Sequence, residues 1–275
     1  MIPKIVHYTW FSGDPFPPHI QKWLETWKEK LPDYEFRLWD MESLKEVNSE
    51  FANEAVSVHK WAQAADVTRL YAVYKYGGIW LDTDVEVFSS LDPFLDNDVF
   101  IGRELYLHNR PRERWLTAHC FGAVPGHPYI KDCLDYYRDR HFIQCTSMVY
   151  PESMRYHIVF LPEVMAVAAL KRNYDWSGQR DDEQILDENI HVYPSYYFDS
   201  PGYRSMDGVI LIHRTLGGWR IGNEDAEPNY SITNPRKKNL HYLGVKINNF
   251  LERHGYAIEK LQGLRNFDKE FSNSK

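Results

Sequence analysis

Apolar positions along the chain switch between two periods. "KIVHYTW" near the start is a short, β-branched apolar run and predicts a buried first strand. After the loop "FSGDPFPPH", Ile20, Trp23, Leu24, Trp27 and Leu31 recur at helical spacing from Pro18 to Leu31, with Pro17 and Pro18 suited to a helix start. "YEFRLWD" at 34–40 alternates like a strand, and "MESLKEV" and "NSEFANEAV" predict short helices. The strongest helical signal covers 59–76, where Val67, Leu70, Tyr71 and Tyr74 form one stripe, Gly77 and Gly78 supply the stop, and a strand "IWL" follows at once. Such alternation of β and α predicts helices packed on a largely parallel sheet.

Beyond residue 100 the pattern weakens. "VFIGRE" and "VILIH" predict strands, "HPYIKDCLDYYRD" and "PEVMAVAALKR" predict helices, and tyrosine-rich loops separate them. Leu240, Leu243, Ile247, Phe250 and Leu251 mark one helical face just after the basic run Arg236, Lys237 and Lys238. A basic-edged helix of this kind over 236–251 can lie on an anionic membrane, and more often such helices pack on the domain.

Composition narrows the function classes. A length of 275 residues with 43% hydrophobic content fits one large domain or two small ones. The 32 basic and 39 acidic residues leave a net charge of -7, so there is no general basic field for a nucleic acid, and none is expected as partner. Cys120, Cys133 and Cys145 have neither the spacing of a zinc site nor the even count of a disulfide framework. The first residues are too short and polar a run for a signal peptide, and no apolar stretch is long enough to span a bilayer. A cytoplasmic protein, peripheral at the inner membrane face if the basic helix docks there, is the expectation. Aromatic residues reach 15%, with 9 Trp and 19 Tyr, which suits a Trp-rich core and also stacking on bases and sugar rings.

The chemistry concentrates in "YKYGGIWLDTDVEV", residues 74–87. Asp82 and Asp84 are two apart, so on a strand they would present two carboxylates to one side where "IWL" leaves the sheet. The carboxyl ends of strands are where open α/β sheets bind ligands. A hard divalent cation, Mg²⁺ or Mn²⁺, would relieve the repulsion and keep open positions for phosphate oxygens. Two other readings of the pair stand beside this one: a phosphatase in which the first Asp is a nucleophile, and a turn in which both side chains only cap backbone amides. Asp66 and Arg69, three apart on the preceding helix, share a face and read either as an ordinary surface ion pair or as part of the site.

Taken together, "IPKIVHYTWFSG" at 2–13, "AADVTRLYAVYKYGGIWLDTDVEV" at 64–87 and "IHRTLGGWR" at 212–220 resemble glycosyltransferase family 32, the DXD-containing sugar transferases distantly related to the large glucosylating toxins. The resemblance covers the first 90 residues or so well and the remainder loosely. It implies an α/β fold of GT-A type, a mixed, largely parallel central sheet flanked by helices. One catalytic domain over 1–275 is then expected, with a nucleotide-sugar-binding half at 1–110, an acceptor-side half at 111–235 and a C-terminal helical segment at 236–275. Carried over by position, Trp10 would stack on the donor base, Asp66 and Arg69 would grip the donor sugar, and Asp82 would face ribose and metal. Asp84 and His213 would ligate Mn²⁺ or Mg²⁺, and the Trp219 indole N–H would meet the leaving diphosphate. Gly218 stands where the family often has Ser.

The implied activity is metal-dependent transfer of a hexose or N-acetylhexosamine, with retention, from a nucleotide sugar to a glycan or lipid-linked saccharide in capsular or surface polysaccharide synthesis. UDP-sugars come first among donors and GDP-mannose next. The sequence identifies no third carboxylate as nucleophile, so same-face attack by the acceptor is expected, with Glu86 a minor candidate helper. The rival classes are a hydrolase using the same two Asp and an inactive glycan- or nucleotide-binding protein.

Overall fold

The computed structural model describes residues 1–104, 115–176, 181–199 and 206–214. Strand β1 (Ile5–Thr9) leads through α1 (Pro18–Lys30) to β2 (Glu35–Trp39), then α2 (Leu44–Val47), α3 (Glu50–Ser57), α4 (Trp61–Tyr76), β3 (Gly78–Leu81) and β4 (Val85–Val87). There follow β5 (Val99–Arg103), β6 (Leu116–Ala123), α5 (Pro128–Asp135), α6 (Glu152–Arg155) and α7 (Leu161–Leu170). The last described elements are β7 (Gln184–Leu186), β8 (Ile190–Tyr193), α8 (Ser195–Phe198) and β9 (Leu211–His213). No helix among the described residues is long and apolar enough to cross a membrane.

The main sheet has seven strands in the order β2-β1-β3-β6-β5-β8-β7. Strand β6 runs antiparallel to both β3 and β5, and β7 runs antiparallel to β8, while the other neighbours are parallel. The mixed, largely parallel sheet between helices expected from the sequence is therefore present. Its inner strands are apolar on both faces because both are covered. On β3, Ile79 and Leu81 pack to one side with Val6, Trp27 and Phe100, while Trp80 packs to the other with Phe51, Leu70 and Phe121. Strand β6 was not legible as a strand in the sequence, although all eight of its residues are buried. It joins β3 to β5 at the middle of the sheet, so the sheet is continuous across residue 110.

The turn from α4 into β3 is set by sterics. Gly77 has φ of +64° and its N–H caps the helix on the Val73 carbonyl. Gly78 has φ of +96°, and a Cβ there would lie 2.6 Å from the Ile5 oxygen, so β3 can sit this close to β1 only with glycine.

His7 fastens the same corner. Its Nε2 donates to the Gly77 carbonyl at 2.9 Å, and its Nδ1 accepts from the Trp39 indole at 3.2 Å. Both nitrogens are thus committed in the neutral ring, and a second proton would face the indole N–H. Burial, opposed by the Gly77 hydrogen bond and helped by Arg37, pulls its pKa down to about 4. The unfolded chain therefore takes up a proton that the folded chain refuses, so stability falls as pH drops from about 6.5 toward 4, by at most about 1.4 kcal/mol per pH unit. Thermal midpoints measured from pH 7 to 4.5 should fall less steeply for His7→Gln than for the unaltered protein; parallel curves would contradict this.

Candidate active site

Two segments far apart in sequence are brought to the carboxyl end of β3. Asp82 directly follows the strand, and its N–H is held by the His119 carbonyl of β6 at 2.9 Å. The Val85 N–H then returns to the Asp82 carbonyl, a tight turn that carries Asp84 into β4. Strand β4 pairs antiparallel with β9, with Val85 opposite His213, and the Arg214 N–H donates to the Asp84 carbonyl at 2.8 Å. This small two-stranded sheet places His213 beside the carboxylate pair.

The two carboxylates have different surroundings. Asp82 Oδ1 accepts from the Trp80 indole at 2.7 Å, and Oδ2 accepts from Arg69 at 3.2 Å. Asp84 Oδ1 lies 3.3 Å from His213 Nε2. Ligand atoms from Asp82, Asp84 and His213 all lie within 4.8 Å of one another. Two carboxylates and one imidazole suit Mg²⁺ or Mn²⁺, so the residues present fit the expected cation. Burial would lower the His213 pKa, but Asp84 above all, with Asp199 and Asp82, raises it to about 9. Without a cation the imidazole is thus protonated and offsets part of the acidic charge, and a bound cation would take the place of that proton.

Arg69 also offsets acidic charge. It is buried on α4, pairs with Asp66 at 3.3 Å and Asp82 at 3.1 Å, and donates to the Ala118 carbonyl at 2.6 Å. The i, i+3 pair on this helix face therefore lies against Asp82, with Arg69 buried, and is not a surface ion pair. Its guanidinium also lies over the Trp80 ring, 5.2 Å from the centroid. Burial raises the Asp66 pKa to about 7, with Arg69 opposing and Asp82 adding to the rise. Burial also opposes the charge on Arg69, yet Asp82 and Asp66 together hold it firmly protonated.

Trp10 follows β1 at the same end of the sheet; its indole donates to the Asp14 carbonyl at 2.7 Å, and its ring packs on Phe16 with centroids 4.8 Å apart. Trp219, Gly218 and the basic helix at 236–251 lie outside the described residues. Glu86, the minor candidate helper, is engaged by Arg214, whose Nε donates to it at 2.8 Å.

Three further groups border the site without having been identified from the sequence: Glu104, His119 and Asp199. Burial and the neighbouring Asp199 push the Glu104 pKa up to about 8, against His213. Burial, reinforced by the charge of His213, holds His119 well below its ordinary range. His119 interrupts the apolar run "LTAHCFGA", a signal that reading 116–123 as a strand would have exposed. Asp199 follows a short helix and stands in no comparable pattern.

Comparison with known proteins finds relatives among glycosyltransferases. Residues 17–101 match the family described as the glycosyltransferase sugar-binding region containing the DXD motif. The chain is 28% identical over 186 residues to inositol phosphoceramide mannosyltransferase 3 of Schizosaccharomyces pombe, covering 65% of this chain and 46% of that protein. It is also 28% identical over 138 residues to a mannosyl phosphorylinositol ceramide synthase of Saccharomyces cerevisiae, covering 49% and 34%. The matches thus span less than half the length of these two relatives. Among solved structures, the PaToxG glycosyltransferase superposes with a TM-score of 0.44 and 17% identity over 62% of this chain and 69% of that one. Asp66, Arg69, Asp82 and Asp84 all lie within residues 17–101, the stretch that is similar to the DXD-containing glycosyltransferase sugar-binding region.

Proposed function

We propose that this chain is a metal-dependent, retaining glycosyltransferase. It would move a hexose or N-acetylhexosamine from a nucleotide sugar, a UDP-sugar first among donors, to a glycan or lipid-linked saccharide in capsular or surface polysaccharide assembly. The observation that carries this reading is the convergence of Asp82, Asp84 and His213 within 4.8 Å, beside the buried Arg69–Asp66 pair, at a strand's carboxyl end. A bound Mn²⁺ or Mg²⁺, held by Asp84 and His213 with Asp82 adjoining, would neutralise charge gathering on the leaving diphosphate.

The chain's own groups do the rest. Trp10 offers an aromatic face to the base, and Asp66 and Arg69 fix the sugar. Trp219 would donate its indole N–H to a phosphate oxygen, a role that rests on the family resemblance. Preorganised donors and charges of this kind act where water is largely excluded, so little reorganisation is needed as charge develops. The acceptor hydroxyl attacks on the face the diphosphate leaves, and the leaving phosphate takes its proton. The phosphatase reading would use Asp82 as the nucleophile, and both its oxygens already accept hydrogen bonds, from Trp80 and Arg69.

A second donor reading has its own support. The names of both fungal relatives pair mannose with an inositol-containing ceramide, which favours GDP-mannose and a lipid-borne acceptor. The test is a panel of UDP-glucose, UDP-galactose, UDP-N-acetylhexosamines and GDP-mannose, with and without Mn²⁺, followed by the nucleoside diphosphate released. Cation-dependent release from one donor supports the reading and identifies the sugar. Release of inorganic phosphate alone would favour a hydrolase.

A further inference from the structure

His119 has no part in the reading above, yet its ring lies against His213, with centroids 4.0 Å apart and planes 22° from parallel. It sits on the central strand β6 at 3% exposure, and its Nε2 lies 2.6 Å from the Phe198 carbonyl oxygen. A carbonyl only accepts, so Nε2 carries a proton and donates it, and that nitrogen is closed to a cation. The Asp199 carboxylate, 3.9 Å from the same nitrogen, is too far to be its hydrogen-bond partner. A buried strand and a short hydrogen bond therefore fix the His119 ring at both ends.

His213 is held less firmly by its own element. Strand β9 spans only Leu211–His213 and pairs with the three-residue β4 at the margin of the fold. Its backbone N–H is tied to the Asp199 carbonyl at 3.0 Å, but that bond leaves the side-chain torsions open. Among the described residues, the ring lies against the Asp84 carboxylate at 3.3 Å and the face of His119. A cation entering the site replaces the first, and the second stays.

We propose that His119 is a positioning residue, a fixed plate against which His213 lies so that its Nε2 keeps facing Asp84 and the cation. Partners that orient a metal-binding histidine typically contribute about 10–100-fold to metal affinity, since a ligand already in place loses no rotamer freedom on binding. This rests on the cation site proposed above, and the experiment separates the two.

Mn²⁺ alone is titrated calorimetrically into the full chain, the His119→Leu, His119→Ala and His119→Phe variants, and Asp84→Ala. Leu fills most of the volume without a flat face, so His119→Leu carries the test if His119→Ala fails to fold. His119→Leu is expected to bind Mn²⁺ about tenfold more weakly, and His119→Phe, which restores a flat ring, within about threefold of the unaltered chain. Unchanged affinity in His119→Leu, or equal loss in His119→Phe, would overturn the plate. Absence of Mn²⁺ binding in the unaltered chain would instead reject the cation site itself and His119's role with it.

Discussion

Arg69→Ala should lower the stability of the folded chain by about 3–5 kcal/mol, because removing one partner of a buried ion cluster leaves the others uncompensated. Arg69 is 5% exposed and bridges Asp66 and Asp82, two carboxylates from different elements. Without it, two half-buried acids face one another with no cation between them. The Asp66 pKa, already raised to about 7 by burial, would rise further, and the Ala118 carbonyl would lose its donor. For a domain of this size such a loss corresponds to a fall in thermal midpoint of roughly 10 °C. Arg69→Lys should recover only a minor part, since one ammonium on a flexible stem does not span both carboxylates and a carbonyl at once. A second readout separates stability from function: below its melting point, Arg69→Ala should bind the nucleoside diphosphate and gain little extra affinity from the attached sugar. A variant with unaltered midpoint would contradict the buried-bridge reading.

Asp84→Ala should do the opposite, sparing the fold and removing the cation site. The turn around Asp84 is held by backbone bonds, from Val85 N–H to Asp82 and from Arg214 N–H to the Asp84 carbonyl, which a change of side chain leaves in place. The thermal midpoint should therefore move little. Affinity for Mn²⁺ should fall by about 100-fold or more, because the loss of a direct ligand exceeds the 10–100-fold typical of groups that merely orient one. The two variants thus split the proposed site: Arg69 ties the carboxylates to the scaffold, and Asp84 is the group proposed to face the cation.

How much of this could be read from the chain alone differs by element. Helix α4 and strand β3 were legible because one apolar stripe, two glycines and a short apolar strand follow one another without interruption, and Asp66, Arg69, Asp82 and Asp84 lie within or just after that stretch. Asp66 and Arg69 could be paired by helix spacing, though their burial against Asp82 required β6, whose carbonyls at Ala118 and His119 hold Arg69 and Asp82. That strand went unread because its small and polar residues, Thr117, Ala118, His119 and Gly122, show no alternation, as expected where both faces are buried. His213 could be suggested only by resemblance. Nothing in the local pattern of "VILIH" says that it pairs with residues 85–87, since antiparallel pairing across more than 120 positions leaves no periodic trace. Glu104 and Asp199 were missed for the same reason: their proximity to His213 is a property of the folded sheet.

The most direct test of the central claim is isothermal titration of UDP and GDP, each with and without Mn²⁺, into the unaltered chain and Asp84→Ala. The expected result is Mn²⁺-dependent binding of one nucleotide, lost in Asp84→Ala while its thermal midpoint stays close to that of the unaltered chain. Binding of neither nucleotide, or binding indifferent both to Mn²⁺ and to Asp84, would contradict a nucleotide-sugar transferase built on this carboxylate pair.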